Sequence, residues 1–343
     1  MPEIYQWSQI RDDFADTLLL GNGASIAVDE CFNYRNLLQA ARQDHLITSS
    51  VDAVFGYLKT TDFELVMNML WHAYHINRAL SVPDNLTQGA YRAIRDALIH
   101  AVRRHHAPYP KVEPHLPAMA DFMKRFQTVL SLNYDLLVYW AMLRGNDDSP
   151  GNWFKDCFRG GEGFDHDWEH YRELYGGAAG ATLVFYPHGT LALVERLGAG
   201  DAKIVKMARN SGRERLLDQV IQQWSAGDTT PLFVSEGDSA QKERAILRSE
   251  YLSAVYGHVM PSLSGTVVCY GWSLSENDEH IIRKIVKTNP PHMAISIHCQ
   301  GRTDPQIQSE ADRILRRLRE ARLRGDVRFF DAGSPGSWIT PEP

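Results

Sequence analysis

Four apolar strings, each closed by small or polar residues, recur along the chain in a fixed order: LLLGNGAS at 18–25, LSLNYD at 130–135, YPHG at 186–189 and CYGWSLSENDEH at 269–280. Apolar runs without a polar alternation describe strands buried on both faces, as in a parallel sheet covered by helices. Open α/β sheets bind their ligands in the crevice outside the carboxyl ends of the strands. Four strings ending in Gly, Asn, Asp, His or Ser therefore predict one crevice along one edge of one sheet.

The intervening segments fit that plan. A short helix, the strand Thr17 to Leu20 and a glycine turn into a helix make an opening βα unit. From Tyr34 to about Gln127 the pattern is mostly helical, which predicts a helical insertion over 36–127 between the first two core strands. The Gly- and Asp-rich stretch within 145–180 reads as a loop able to cover the pocket. After YPHG come a polar, partly helical stretch over 195–225, a short strand in TPLFVSEGDS, a helix, and the buried strands GTVVCYGWS and MAISIHC, with VRFFDA as a final edge. The alternation predicts an α/β fold, a Rossmann-like doubly wound parallel sheet with a helical insertion, forming a single domain over 1–343.

Composition narrows the functional classes. A formal net charge of −6 and a pI near 6.2 argue against a protein that coats nucleic acid. No apolar run reaches the ~20 residues of a membrane span, and the opening residues lack a basic segment followed by an apolar one, so a cytoplasmic protein is expected. The four cysteines, Cys31, Cys157, Cys269 and Cys299, form no CxxC pair, so no zinc ribbon or disulfide framework is implied and no metal is expected. Two basic clusters stand out. In ADRILRRLREARLRG, Ile314, Leu315, Leu318 and Leu323 form a helical stripe with arginines on the other sides, a docked amphipathic helix. KIVKMARNSGRER at 203–215 reads either as a phosphate contact or as an exposed helix start.

The strand ends carry the chemistry. Gly21 and Gly23 flank Asn22 at a strand-to-helix turn, with Ala24 and Ser25 following, and such a turn lets backbone approach a pyrophosphate. Ile26 stands where a dehydrogenase fingerprint places its third glycine, and no acidic residue ends a second strand about twenty residues later, so a plain dehydrogenase fits poorly. Asn133 and Asp135 are either ligand contacts or caps of the next helix. His188 titrates near neutrality and suits a base, or else is structural. Gly271, Ser273 and Asp278 belong to a fourth strand-helix turn.

Taken together these strings resemble the sirtuin NAD site. GNGAS is similar to the sirtuin GAGxS loop with Asn22 in place of alanine. LNYD resembles the NID motif, which implies that Asn133 places a water near the nicotinamide ribose and Asp135 binds the carboxamide. The HG dipeptide implies that His188 acts on the ribose hydroxyls, beside Gly189, and the GxS resemblance places Gly271 and Ser273 on the phosphates and adenosine ribose. Phe32 and Tyr34 lie where that family keeps an aromatic lid, although GIPDFR is replaced by DECFNYR. FVSEGDS, with Glu236 and Gly237, resembles the strand that receives an acyl-lysine peptide. The paired CxxC module of the protein deacylases is missing. The chain looks most like the bacterial sirtuin-like families of unassigned function that share LGNGAS, LNYD, HG and SLSENDEHI, and its helical insertion in place of that module resembles the bacterial sirtuin-like proteins that hydrolyse NAD, many of them anti-phage effectors. This resemblance implies a hydrolase cleaving NAD to nicotinamide and ADP-ribose, with NAD as substrate and a homo-oligomer or activating partner protein controlling it.

Three alternatives remain. The chain could bind NAD or ADP-ribose as a sensing module without turnover, or act as an NAD-dependent protein deacylase. His166, Glu169 and His170 in HDWEH also match the inverted zinc-peptidase pattern H-x-x-E-H, against an acidic surface segment. The cluster HAVRRHH at 100–106 reads as a helix end and loop.

Overall fold

The computed structural model describes residues 2–33, 37–159, 163–196, 203–206, 213–226, 229–234 and 237–341. Thirteen strands occur among them, in chain order β1 Ile4–Tyr5, β2 Thr17–Leu20, β3 Thr128–Ser131, β4 Phe154–Lys155, β5 Phe158–Arg159, β6 Gly163–Phe164, β7 Thr182–Phe185, β8 Gly189–Arg196, β9 Lys203–Lys206, β10 Thr229–Phe233, β11 Val267–Tyr270, β12 His292–Ile297 and β13 Asp326–Asp331. Eight of them form one sheet in the order β1-β13-β12-β11-β2-β3-β7-β4, and every pairing in it is parallel. Strands β2, β3, β7 and β11 are buried at every position, which is why they read as uninterrupted apolar runs.

Without its two short edge strands this sheet has the order β7-β3-β2-β11-β12-β13, the 3-2-1-4-5-6 arrangement of a Rossmann-like doubly wound fold. The chain builds outward from β2 through β3 and β7, then returns to lay β11 on the other side of β2. The switch point lies between β2 and β11. The helices Asn22–Val28, Leu137–Asp147 and Glu279–Lys287 follow β2, β3 and β11 respectively. The chain between β2 and β3 holds the helices Leu37–Gln43, Ser49–Leu58, Phe63–Ala79, Leu86–His105, Tyr109–Val112 and Leu116–Lys124. A second, antiparallel sheet in the order β10-β8-β9 is inserted between β7 and β11.

Several sequence expectations are corrected. The stretch 145–180 is more than a covering loop: the preceding helix continues to Asp147, β4 pairs with β7 as an edge of the main sheet, and β5 pairs with β6. Residues Lys203–Lys206 are a strand rather than a helix start, and β8 continues directly from the histidine turn to Arg196. β13 is not the sheet edge, because Ile4 and Tyr5 pair outside it with Phe329 and Phe330. Two residues give a strand too little local pattern to be read. The arginine-rich segment does form a docked helix, Asp304–Glu320, burying Ile314 and Leu318. Two of its arginines are tethered: Arg313 donates to the Ser273 carbonyl at 2.6 Å and Arg317 to Glu279 at 2.8 Å, so they secure the loop after β11. Among the described residues no helix is long and apolar enough to cross a membrane.

Closure at the switch point depends on glycine. Gly271 has φ +65°, and a Cβ there would overlap the Ala24 amide nitrogen. Gly271→Ala is expected to lower the unfolding free energy by about 2–4 kcal/mol, combining left-handed backbone strain with overpacking. Gly56→Ala is the control, since a Cβ at this exposed helical position meets nothing within 4 Å, and it should be neutral or stabilise by about 1 kcal/mol. Denaturant unfolding of the two variants checks both.

Candidate active site

The ends of β2, β3, β7 and β11 meet as neighbouring loops. At the switch point the turn after β2 lies backbone to backbone on the turn after β11. The Gly21 amide donates to Tyr270 O at 3.0 Å, the Gly23 amide to Gly271 O at 2.7 Å, and the Ala24 amide back to Gly21 O at 2.9 Å. A Cβ on Gly21 would sit 2.6 Å from the Trp272 Cα. The glycines thus permit close chain crossing, and these three amides are engaged with protein carbonyls. Ala24 is buried, and its carbonyl accepts from the Trp338 indole at 2.7 Å.

Below this turn lies a closed polar network. The Asn133 amide nitrogen donates to Gly21 O and to Ser25 Oγ, both at 2.9 Å, and the Ser25 hydroxyl donates to Asp135 Oδ2 at 2.5 Å. The other Asp135 oxygen accepts the Leu137 amide at 2.9 Å, an Asx-type cap on the helix that follows. Ser25, Asn133 and Asp135 are 1%, 7% and 5% exposed. Burial pushes the Asp135 carboxyl up to about 6, against the lowering effect of the Ser25 and Leu137 hydrogen bonds. The capping reading of Asp135 is the one seen here: one oxygen caps the following helix while the other accepts from Ser25.

The histidine turn lies beside it. His188 is 3% exposed, and its Nε2 is 2.9 Å from Nε2 of His280, which is fully buried. The His280 Nδ1 is 3.1 Å from Ser239 Oγ, which also accepts the His280 backbone amide at 2.9 Å. Burial, then the nearby Lys242 ammonium, hold the His188 imidazolium far below the usual range, opposed by Asp278 and by a hydrogen bond to the Leu132 carbonyl. Burial also lowers His280 to about 4. Asp278 accepts from Lys242 at 2.9 Å and from the Trp272 indole at 3.1 Å. Burial opposes its ionisation, but the Lys242 ammonium, with the hydrogen bonds from Lys242 and the Trp272 indole, brings it down to about 2. Gly189 has φ +74° and lies against the Leu232 carbonyl, where a side chain would collide.

The remaining sequence candidates are distributed around this floor. Asn22 and Ser273 are exposed at the rim, and Gly23 and Gly271 are half-buried. Phe32 is 2% exposed and packs edge-on against His106, with ring centroids 5.3 Å apart, so it faces the interior rather than covering a pocket. Tyr34 and Glu236 lie outside the described residues. In HDWEH the residues Trp168–Arg172 form a 3-10 helix, His166 bonds to Glu250 at 3.1 Å, and His170 bonds to the Asp167 carbonyl. Among the described residues no three His, Cys, Asp or Glu side chains converge in a metal-binding group.

Sequence reasoning missed two partners. His106, read as part of a helix end, is 6% exposed and accepts the Leu136 amide on Nε2 at 3.0 Å, with Ala107 O 2.9 Å from Nδ1. It thereby holds the loop that carries Asn133 and Asp135. Its ring also packs against Trp140, and no local signal in HAVRRHH separates it from its exposed neighbours. His280 was legible only as a helix start, although it closes the fourth string.

Buried neutral histidines make stability fall with acid. Burial depresses His106 to about 4 in the folded chain, so its contribution is present above the unfolded value near 6.5 and is lost as pH falls toward 4. His106→Gln should flatten that fall by about 3 kcal/mol in urea titrations at pH 7 and pH 4. Asp135 has the opposite sign, since a raised carboxyl costs stability above pH 6 and regains it on acidification through its unfolded value. Asp135→Asn should gain up to about 3 kcal/mol relative to the parent at pH 8, and the gain should disappear by pH 3.5.

A family model described as a domain of unknown function, DUF4917, matches residues 18–338. No curated protein matches the chain.

Proposed function

We propose that this chain, which belongs to the DUF4917 family, binds NAD at the switch point between β2 and β11 and cleaves it to nicotinamide and ADP-ribose. The observation that supports this reading is the Ser25-bridged pair of Asn133 and Asp135, placed beside His188 at the carboxyl ends of four adjacent parallel strands. Dinucleotides bind at this position in doubly wound sheets.

The reaction releases neutral nicotinamide from a cationic pyridinium, so it needs orientation and charge stabilisation more than a strong acid for the leaving group. Asn133 uses its amide nitrogen on Gly21 O and Ser25 Oγ, leaving its Oδ1 to orient a water beside the ribose. Asp135, pushed up to about 6, has both forms at hand near neutrality. The acid can donate to a carboxamide oxygen and the carboxylate can accept from the amide nitrogen. His188 is a neutral imidazole at that pH, the form that takes a proton from a ribose hydroxyl. The exposed rim residues Asn22 and Ser273 are the positions from which the phosphates and adenosine ribose would be reached.

A second reading, binding of NAD or ADP-ribose at the rim without turnover, is favoured by one observation: the floor residues are buried while the rim is open. Turnover separates the two. Purified chain incubated with NAD should release nicotinamide and ADP-ribose on chromatography, and His188→Ala should lower the rate about 10²–10⁴-fold, the range for loss of a general base. Asn133→Ala should lower it comparably while the far-ultraviolet spectrum is unchanged. No release by the parent chain or by an activated form, with retained NAD affinity, would favour the binding module.

A further inference from the structure

We propose that His280 is a latch on His188, holding the site in a resting form until the helix Ser239–Ile246 lets it go. The inference rests on the NAD-cleaving reading for its consequence in turnover, but its geometric content stands apart from that reading.

The contact engages His188 Nε2 whichever ring carries the shared proton. Ser239 Oγ accepts the His280 backbone amide at 2.9 Å and lies 3.1 Å from His280 Nδ1, so it holds the His280 ring at both its backbone and its side chain. Across the 2.9 Å contact between the two Nε2 atoms one neutral imidazole donates and the other accepts. His188 Nε2 then either gives its lone pair to the His280 N–H or carries the proton itself. In this form His188 Nε2 cannot take a proton from a substrate hydroxyl.

The latch is held by one face of a helix. Ser239, Lys242 and Glu243 occupy positions i, i+3 and i+4 of Ser239–Ile246 and clasp the start of the helix Glu279–Lys287. Ser239 binds His280, Lys242 binds Asp278 at 2.9 Å, and Glu243 binds Arg283 at 3.1 Å. Glu243 also accepts from the Tyr256 hydroxyl at 2.8 Å, and that hydroxyl is 3.3 Å from the His280 carbonyl. Movement of this one helix would release His280 and its neighbours together.

The test compares the parent chain with His280→Ala and Ser239→Ala. The readouts are carbethoxylation of His188 by diethyl pyrocarbonate, mapped by mass spectrometry, and nicotinamide release from NAD. In the parent, His188 should be protected relative to the exposed His72 and His75. In both variants its modification should rise about tenfold or more, the scale set by removing one hydrogen bond from the resting state, and nicotinamide release should rise with it. Unmasked His188 without nicotinamide release in any form would support the latch and overturn the NAD-cleaving reading. Parent-like protection of His188 in the folded variants would overturn the latch. So would a fall in nicotinamide release with His188 unmasked, which would make His280 a positioning residue instead. If His280→Ala does not fold, Ser239→Ala decides alone, since it leaves both imidazoles in place and removes the hydroxyl that meets the His280 ring and backbone amide.

Discussion

The backbone contact between the turns after β2 and β11 is the constraint on which the site depends. A doubly wound sheet must place two strands of opposite winding side by side, and the loops leaving them diverge unless something holds them together. Here the Gly23 amide reaches Gly271 O at 2.7 Å, an approach that a Cβ on Gly21, Gly23 or Gly271 would obstruct. This contact fixes where Gly21 O lies, and Gly21 O is the acceptor that orients Asn133. Asn133 in turn positions Ser25, and Ser25 binds Asp135. The polar floor therefore inherits its geometry from two glycine turns. The Trp338 indole fastens the same helix start from the opposite end of the chain.

Around that floor, the protein keeps ionisable groups out of water in forms chosen by burial. His106, His188 and His280 are all held neutral, each with a ring nitrogen in a hydrogen bond. Asp278, in contrast, stays ionised because Lys242 and the Trp272 indole meet it. Replacing water around a polar group is tolerable only when protein supplies the partners. An imidazole can be satisfied while neutral, and this arrangement preserves a basic lone pair where a charged histidine would have none. Such concentrations of perturbed groups in one place are more common at functional sites than elsewhere, although structural networks produce them too, as His106 demonstrates.

Much of this was legible in the sequence, for a definite reason. Strands buried on both faces leave unbroken apolar runs, and β2, β3, β7 and β11 are buried throughout, so their ends could be located to within a residue or two. The residues after those ends, Gly21, Asn133, His188 and Gly271, are brought together by sheet order alone. What failed to appear were features with little local pattern. The strands β1 and β4 have two residues each, and β9 opens the charged segment KIVKMARNSGRER, which suits a helix start equally well. His280 and His106 enter the network through contacts 92 and 30 residues distant in sequence, which no window of periodicity contains. The lid expectation for Phe32 met the same limit: an aromatic near a glycine turn can face in or out, and the packing surface offered by His106 settles it inward.

The contrast between an open rim and a closed floor bears on what activation would have to supply. Under the proposed reading, NAD must reach Asn133 and His188, yet these are 7% and 3% exposed. A ligand that binds only an open form has its apparent affinity reduced by the fraction of chains that are open. With a single His280 to His188 hydrogen bond holding the floor, that penalty would be modest, about tenfold. The clasp, however, joins Ser239, Lys242 and Glu243 to His280, Asp278 and Arg283 on one helix pair. Breaking the Lys242 to Asp278 pair, with both side chains less than 15% exposed, would leave buried charges unpaired, at a cost of about 3–5 kcal/mol or roughly two to four powers of ten in population. An opening of that size exceeds ordinary thermal fluctuation of a loop and is within reach of a second binding event that prefers the open form. Under the proposed reading, enzyme and sensor are then less opposed than their names suggest, because a site closed this firmly would turn over slowly until something else has bound.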